Sequence, residues 1–316
     1  MVDTAPPLFR FGIQCSSPPS VTAAGWRELA RKCEDLGYAR LTVADHLDDQ
    51  LAPIAALMAA ADATTSLRVG SMVFCNDYRH PAVLAKEAAT LDVLSDGRFE
   101  LGMGAGWMTS DYEAAGIPMD RPGVRIGRLE EAVQVVKGLF ADGPLVHDGE
   151  HYRIHGLSGS PKPVQRPHPP ILIGGGGRKV LELAGRHADI VGLNPSLPGG
   201  VIDASAGPDA TEAATERKIG WVRAAAGDRF DRIELQTRIH LAIVTDDRPG
   251  TADALAAGFG LTPDEALRSP HALCGSPEEI ADDLVERRER FGISGIGLSL
   301  DAIDAMAPVV ARLAGT

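Results

Sequence analysis

Residues 171–193 read ILIGGGGRKVLELAGRHADIVGL. Residues 171–173 are a short apolar strand, closed by Gly174, Gly175, Gly176 and Gly177. Residues 180–187 read as a helix and 189–193 as the next strand. Strand, helix, strand on this scale is the repeating unit of a parallel sheet.

The same unit recurs outward in both directions. Residues 11–14 (FGIQ) read as a first strand. In 22–36, Trp26, Leu29, Ala30, Cys33 and Leu36 share one helical face, with Thr22 as N-cap and Gly37 just past the end. Residues 41–44 form a strand running into Asp45-His46, 53–63 an alanine-rich helix, and 67–74 (LRVGSMVF) a third strand. Pro81 opens a helix, 98–103 form a strand, and Leu129, Val133, Val136 and Phe140 mark a further helix. Towards the C-terminus, 233–244 read as strand. Ser276-Pro277-Glu278-Glu279 is a capping box whose helix Gly292 stops before a strand at 295–300.

About eight strands alternating with helices leave an open doubly wound sheet or a closed barrel. The first strand runs into Gln14-Cys15-Ser16-Ser17 and not into GxGxxG. The pattern therefore predicts an α/β fold of the (β/α)8 TIM-barrel type, one domain over residues 1–316, with insertions at about 143–170 and 195–209. The first insertion, rich in Pro, Gly and His, reads as a hairpin plus an extended arm. The second has the composition of a mobile loop placed to cover an active site.

Net charge is −12 over 316 residues, which argues against nucleic acid or an anionic membrane as partner. Four cysteines without CxxC pairing read as reduced thiols. With no signal-peptide pattern in residues 1–7 and no apolar run of the roughly 20 residues that span a bilayer, the expectation is a cytoplasmic protein acting on a small molecule.

In a barrel the chemistry sits where strands end. The four glycines before a helix N-terminus suit a phosphate, because bare backbone and free N–H groups both face an anion there. The segment GMGAGW at 102–107 could leave room for a flat ring, with Trp107 as its wall. Asp45-His46 could move a proton near neutral pH. His147, His151 and His155 recur every four residues, but Gly149 and Gly156 interrupt them. No HExxH or cysteine cluster accompanies them, so no metal site is expected. Arg287, Arg288 and Arg290 read as a solvated helix face.

The chain resembles the luciferase-like flavin and deazaflavin oxidoreductases, and within them an actinobacterial group assigned to coenzyme F420. The resemblance rests on LTVADHL at 41–47, NDYRHPAVLAKEAATLDVLSDGRFELGMGAGW at 76–107, PKPVQRPHPPILIGGGGRKVLELAGRHAD at 161–189, KIGWVRAAAGDRF at 218–230 and APVVARLAG at 307–315. It implies a homodimeric barrel. Asp45 and His46 would line the deazaflavin ring. Ser71 and Met72 would form a bulge behind it, often a non-prolyl cis peptide. Gly104, Gly106 and Trp107 would lie beside the ring, and Gly174, Gly175, Gly176 and Gly177 would hold the cofactor phosphate. Two departures speak against a sugar phosphate substrate. Residues 14–21 contain no acid, and Trp107 stands where that branch has an acidic residue. An apolar ketone, enone or lipid-like substrate fits Trp107 better.

The expected function is an F420-dependent oxidoreductase passing a hydride between the deazaflavin and a small, rather apolar molecule. His46 would be the proton donor or acceptor, with Asp45 orienting it or bonding the ring. Arg178 and Lys179 are candidates for the exit of the cofactor's tail. The alternatives are an FMN-dependent monooxygenase on the same barrel and a non-catalytic flavin-binding protein.

Overall fold

A computed structural model describes residues 6–16, 22–197, 200 and 204–316. Thirteen strands are present among them: β1 Arg10–Cys15, β2 Arg40–Val43, β3 Arg68–Ser71, β4 Phe74–Cys75, β5 Phe99–Gly104, β6 Pro144–Asp148, β7 Arg153–Ser158, β8 Ile171–Gly175, β9 Ile190–Leu193, β10 Glu234–Arg238, β11 Leu241–Val244, β12 Ala272–Gly275 and β13 Ile293–Ser299. One parallel sheet runs β3-β2-β1-β13-β10-β9-β8-β5-β4, and β3 also pairs with β5. With β3 and β4 as two halves of one broken strand, this is the closed eight-stranded parallel barrel expected from the sequence.

Strand parity divides inside from outside. Phe11, Ile13, Leu41, Val43, Leu101, Met103, Ile171, Ile173, Val191 and Leu193 are buried in the main apolar core under the helices. The alternate residues face the barrel axis. At the N-terminal end these are charged and meet across the axis. Arg10 bonds Glu100 at 2.5 Å and Glu234 at 2.7 Å, Arg40 bonds Glu234 at 2.6 Å, and Arg68 bonds Glu100 at 2.7 Å. This layer plugs one end of the barrel. Above it the inward positions turn small, with Gly12, Gly70, Gly102, Gly192 and Gly297. The other end is consequently open to side chains from the loops.

The first insertion forms the expected hairpin, β6 against β7. Its turn is held by the Glu131 carboxylate, which accepts the N–H groups of Glu150, His151 and Tyr152. His147 and His151 thus lie around a turn-holding carboxylate on the hairpin. Of the second insertion, residues 198–199 and 201–203 lie outside the described residues. Its described part includes a 3₁₀ turn, Ala204–Asp209, fastened by the buried Lys218, which donates to the carbonyls of Asn194 and Asp209 and pairs with the Asp209 carboxylate.

Three sequence expectations are corrected. The strand expected at 233–244 splits, because the Ile239 N–H goes to Gly297 O inside the barrel while the His240 N–H goes to His271 O outside it. β10 stays in the barrel and β11 pairs with β12 in a separate two-stranded sheet. The strand expected at 67–74 breaks between Ser71 and Phe74. Its cis peptide joins Met72 to Val73, one bond beyond the Ser71-Met72 position implied by the resemblance. Arg287 does not face solvent: it is buried and donates to Ala272 O and Leu267 O, closing the end of the short helix Pro263–Arg268.

Candidate active site

All four expected segments lie at the C-terminal ends of barrel strands: Asp45-His46 after β2, Ser71-Met72 at the β3/β4 break, Gly104–Trp107 at the end of β5, and Gly174–Gly177 at the end of β8. The open mouth is therefore where the candidate site is built.

His46 and Trp107 come together edge to face, with ring centroids 5.5 Å apart. His46 Nδ1 lies 2.7 Å from Asp111 Oδ2. A carboxylate can only accept, so Nδ1 carries the proton and Nε2 is left for another partner. Asp111 sits on the helix Thr109–Ala115 and is almost fully buried. It also accepts the Tyr78 hydroxyl at 3.2 Å and the Leu47 N–H at 3.4 Å. The expected pairing of Asp45 with His46 is not made. Asp45 points away and forms a bidentate pair with Arg79 (2.8 and 3.0 Å), and it accepts the Cys75 N–H at 2.9 Å. Its charge is consumed in tying β2 to the residues after β4.

Ser71 is buried, and its hydroxyl bridges Gly102 O and the Phe74 N–H. Met72 extends across the axis, where its sulfur meets Gln236 Nε2 at 3.1 Å and its backbone O meets Gln14 Nε2 at 3.3 Å. It forms the floor of the mouth. Gly104 and Gly106 do not hold space open in the direction a side chain would take. A Cβ at Gly104 would lie 2.4 Å from Val73, and one at Gly106 would meet the Tyr112 hydroxyl. These glycines admit the broken strand and Tyr112. The Gly106 carbonyl is held by Arg125 at 2.5 Å. Behind this wall, Tyr112 donates to Asp77, and Arg128 bonds Asp77 at 2.7 Å. Burial, with Cys75 and Asp77 beside it, pushes the Tyr112 hydroxyl well above its ordinary range, so it stays a proton-bearing donor.

Of the four glycines, Gly174 and Gly175 complete β8, and the other two make the turn. A Cβ at Gly176 would fall 2.4 Å from Ser196 N and 2.5 Å from Pro195, so that backbone passes directly under the next loop. Gly177 is the N-cap of the helix Arg178–His187; it supplies no capping side chain, and a Cβ there would meet nothing within 4 Å. The first intrahelical bond to Gly177 comes from Leu181 N–H. No side chain caps the N–H groups of the first turn, and that turn carries no acid. A cradle of this kind fits a phosphate. Arg178 is exposed and paired with Glu182 at 2.7 Å, and Lys179 is exposed beside Gly123.

Reasoning from the sequence missed Asp111, Tyr78 and Arg79 as partners of the pair. Arg79 stands in a quoted strand-end segment. Asp111 lies on a helix whose packing against His46 no local pattern encodes.

The fold defines the class as a closed parallel (β/α)8 barrel, with a glycine-rich turn after β8 and a carboxylate-held histidine after β2 at the same end. The luciferase-like monooxygenase family model matches residues 8–217, and the chain belongs to that family. It is 31% identical over 169 residues to the FMNH(2)-dependent dimethylsulfone monooxygenase of Pseudomonas putida, an alignment covering 52% of this chain and 46% of that protein. It is 30% identical over 197 residues to the F420-dependent glucose-6-phosphate dehydrogenase of Kineococcus radiotolerans, covering 60% and 57%. The chain thus aligns with about half the length of the curated relatives it matches. The coenzyme F420-dependent tetrahydromethanopterin reductase of Methanopyrus kandleri shares the fold, with TM-score 0.77 and 17% identity over 98% of this chain and 99% of that one. Among the described residues no helix is long and apolar enough to cross a membrane. The protein has the barrel fold of the luciferase-like family.

Proposed function

We propose that the protein is a coenzyme F420-dependent oxidoreductase acting on a small organic carbonyl compound or alcohol. The observation that carries this reading is the placement of the uncapped Gly176-Gly177 cradle and the His46–Asp111 pair on the same open end of the barrel. The similarity to F420-dependent relatives supports the choice of cofactor.

In this reading the first-turn N–H groups after Gly177 hold the cofactor phosphate, and Met72 and Trp107 bound the ring. When bound, the deazaflavin supplies hydride transfer. The chain's own part is orientation and proton movement. Asp111 fixes the tautomer of His46, leaving Nε2 to bond the substrate oxygen and to give or take its proton. Tyr78 and the Leu47 N–H hold Asp111 in turn. Arg79 and Asp45 keep the loop beneath in place without touching the reacting atoms.

A second reading, an FMN-dependent monooxygenase, is favoured by the similarity to the dimethylsulfone monooxygenase, since the same cradle accepts either phosphate. Titrating the full chain separately with F420 and with FMN decides between them. Tight binding of F420 alone is expected. Micromolar FMN binding with no F420 binding would reverse the assignment. His46→Ala should keep cofactor affinity and lower turnover by about 10²–10⁴-fold, the range of general acid–base catalysis.

A further inference from the structure

The mouth of the barrel contains a cation that nothing else in the described structure neutralises. Arg238 ends β10 facing the axis, the position above Gln236 and Glu234. Its register partner is Gly297, two residues before Ser299, and Ser299 is in turn the register partner of Gln14. Arg238, Ser299 and Gln14 thus stand on three neighbouring strands at the level of Met72, whose carbonyl holds Gln14.

The guanidinium makes one short bond, to Ser299 Oγ at 2.6 Å, and one long one, to Gly297 O at 3.4 Å. Among the described residues no carboxylate lies within 4 Å of it. The remaining N–H groups of its five-donor fork have no protein acceptor there. The other inward arginines behave differently. Arg10, Arg40 and Arg68 are all neutralised by Glu100 or Glu234. Other arginines with no carboxylate partner, Arg98, Arg125 and Arg287 among them, donate to backbone carbonyls of turns and helix ends. Burial lowers the Arg238 pKa to about 10, with only the exposed Asp301 acting against it from beyond pairing distance. The neighbouring His240 is uncharged near neutral pH, since burial and Arg238 hold its pKa down to about 4. Arg238 is half-buried; a partly desolvated guanidinium left without an anion is destabilising, and a bidentate carboxylate is the partner its geometry matches best.

We propose that Arg238, with Ser299 and Gln14, is the substrate's anion subsite, and that the substrate is an organic carboxylate whose charged end docks there. The proposal sharpens the expectation of a rather apolar substrate. The apolar wall at Trp107 serves the body of the molecule, and Arg238 serves its charged end. It rests on the oxidoreductase reading for placing a reacting centre in the same mouth, but the anion binding can be measured without cofactor.

The test titrates the full chain, with and without F420, with benzoate and with its neutral analogue benzamide. Wild type should bind benzoate at least tenfold more tightly than benzamide. Arg238→Met should lose at least tenfold for benzoate, leave benzamide and F420 affinity unchanged, and raise the Tm, because a half-buried cation with no carboxylate partner is removed. Arg238→Lys should keep part of the benzoate affinity. Equal benzoate binding in wild type and Arg238→Met, or a lowered Tm in Arg238→Met, would overturn the subsite. Loss of F420 binding in Arg238→Met would overturn it in favour of a cofactor contact. A wild type that binds benzoate through Arg238 but binds no F420 would uphold the subsite and sink the cofactor assignment.

Discussion

At the residue scale the candidate site turns on a substitution of partners. His46 is oriented by Asp111, and Asp45 is engaged by Arg79. The two aspartates therefore fail differently. Asp111→Asn keeps the shape but can present its amide N–H₂ to Nδ1, which favours the other tautomer of His46. Turnover should fall by about 10²-fold or more while cofactor affinity holds, as a kcat against Kd comparison would show. Arg79→Ala strands the buried Asp45 charge and should cost about 3–5 kcal/mol of stability, measured by urea unfolding. The glycines of the cradle divide in the same way. Gly176→Ala must push the Pro195-Ser196 backbone aside, whereas Gly177→Ala meets open space at a φ of −86°. Gly176→Ala should weaken cofactor binding and lower the Tm. Gly177→Ala should leave the Tm within a degree or two, and a melting curve of each variant separates them.

At the scale of elements, the broken strand β3/β4 is what shapes the mouth. Ser71 O would lie 2.0 Å from a Cβ at position 102, so the break can approach β5 only where β5 carries glycine. Gly102→Ala should therefore destabilise by about 1–3 kcal/mol, the usual cost of overpacking, and displace Met72 from the floor. Comparing its denaturation midpoint and its F420 affinity with wild type checks both effects. The repeat of strand and helix was legible because each strand is apolar on its outer face and each helix has a stripe to match. The departure of the chain after Arg238 was not legible, and the break at Met72-Val73 was anticipated only through the family resemblance, one bond early. Both are set by which distant carbonyl accepts a given N–H, and apolar periodicity carries no record of that.

At the scale of the whole molecule, the barrel is closed at one end by charge. Burial opposes ionisation of Glu100, yet Arg40, Arg10 and Arg68 together hold its pKa down to about 2. A depressed carboxyl contributes stability that is present above its ordinary value near 4.3 and is lost as pH falls towards 2. Glu100→Gln should cost about 3–5 kcal/mol near neutrality, since Arg10 and Arg40 then share Glu234 and Arg68 loses its carboxylate partner. His271 acts in a different window. Burial lowers its pKa to about 3, so between pH 6.5 and 3 the unfolded chain takes up a proton that the folded one refuses. Stability should fall across that range by about 1.4 kcal/mol per pH unit for this one proton. His240, lowered to about 4 by burial and Arg238, adds to the slope. Urea midpoints at pH 7 and pH 5 should differ, and His271→Gln should flatten the difference.

The run ILIGGGGRKVLELAGRHADIVGL determined by itself that a parallel strand ends in bare backbone at a helix N-terminus. Together with its repeats, it determined the barrel and the end where the candidate site lies. These features are local, because periodicity and glycine act within one element. Only the tertiary structure decided that His46 belongs to Asp111, that Gly104 makes room for Val73, and that Arg238 is the inward arginine without a carboxylate partner among the described residues. Each of these depends on which side chains meet across the barrel axis. Charge neutralisation and close approach are properties of pairs far apart in the chain.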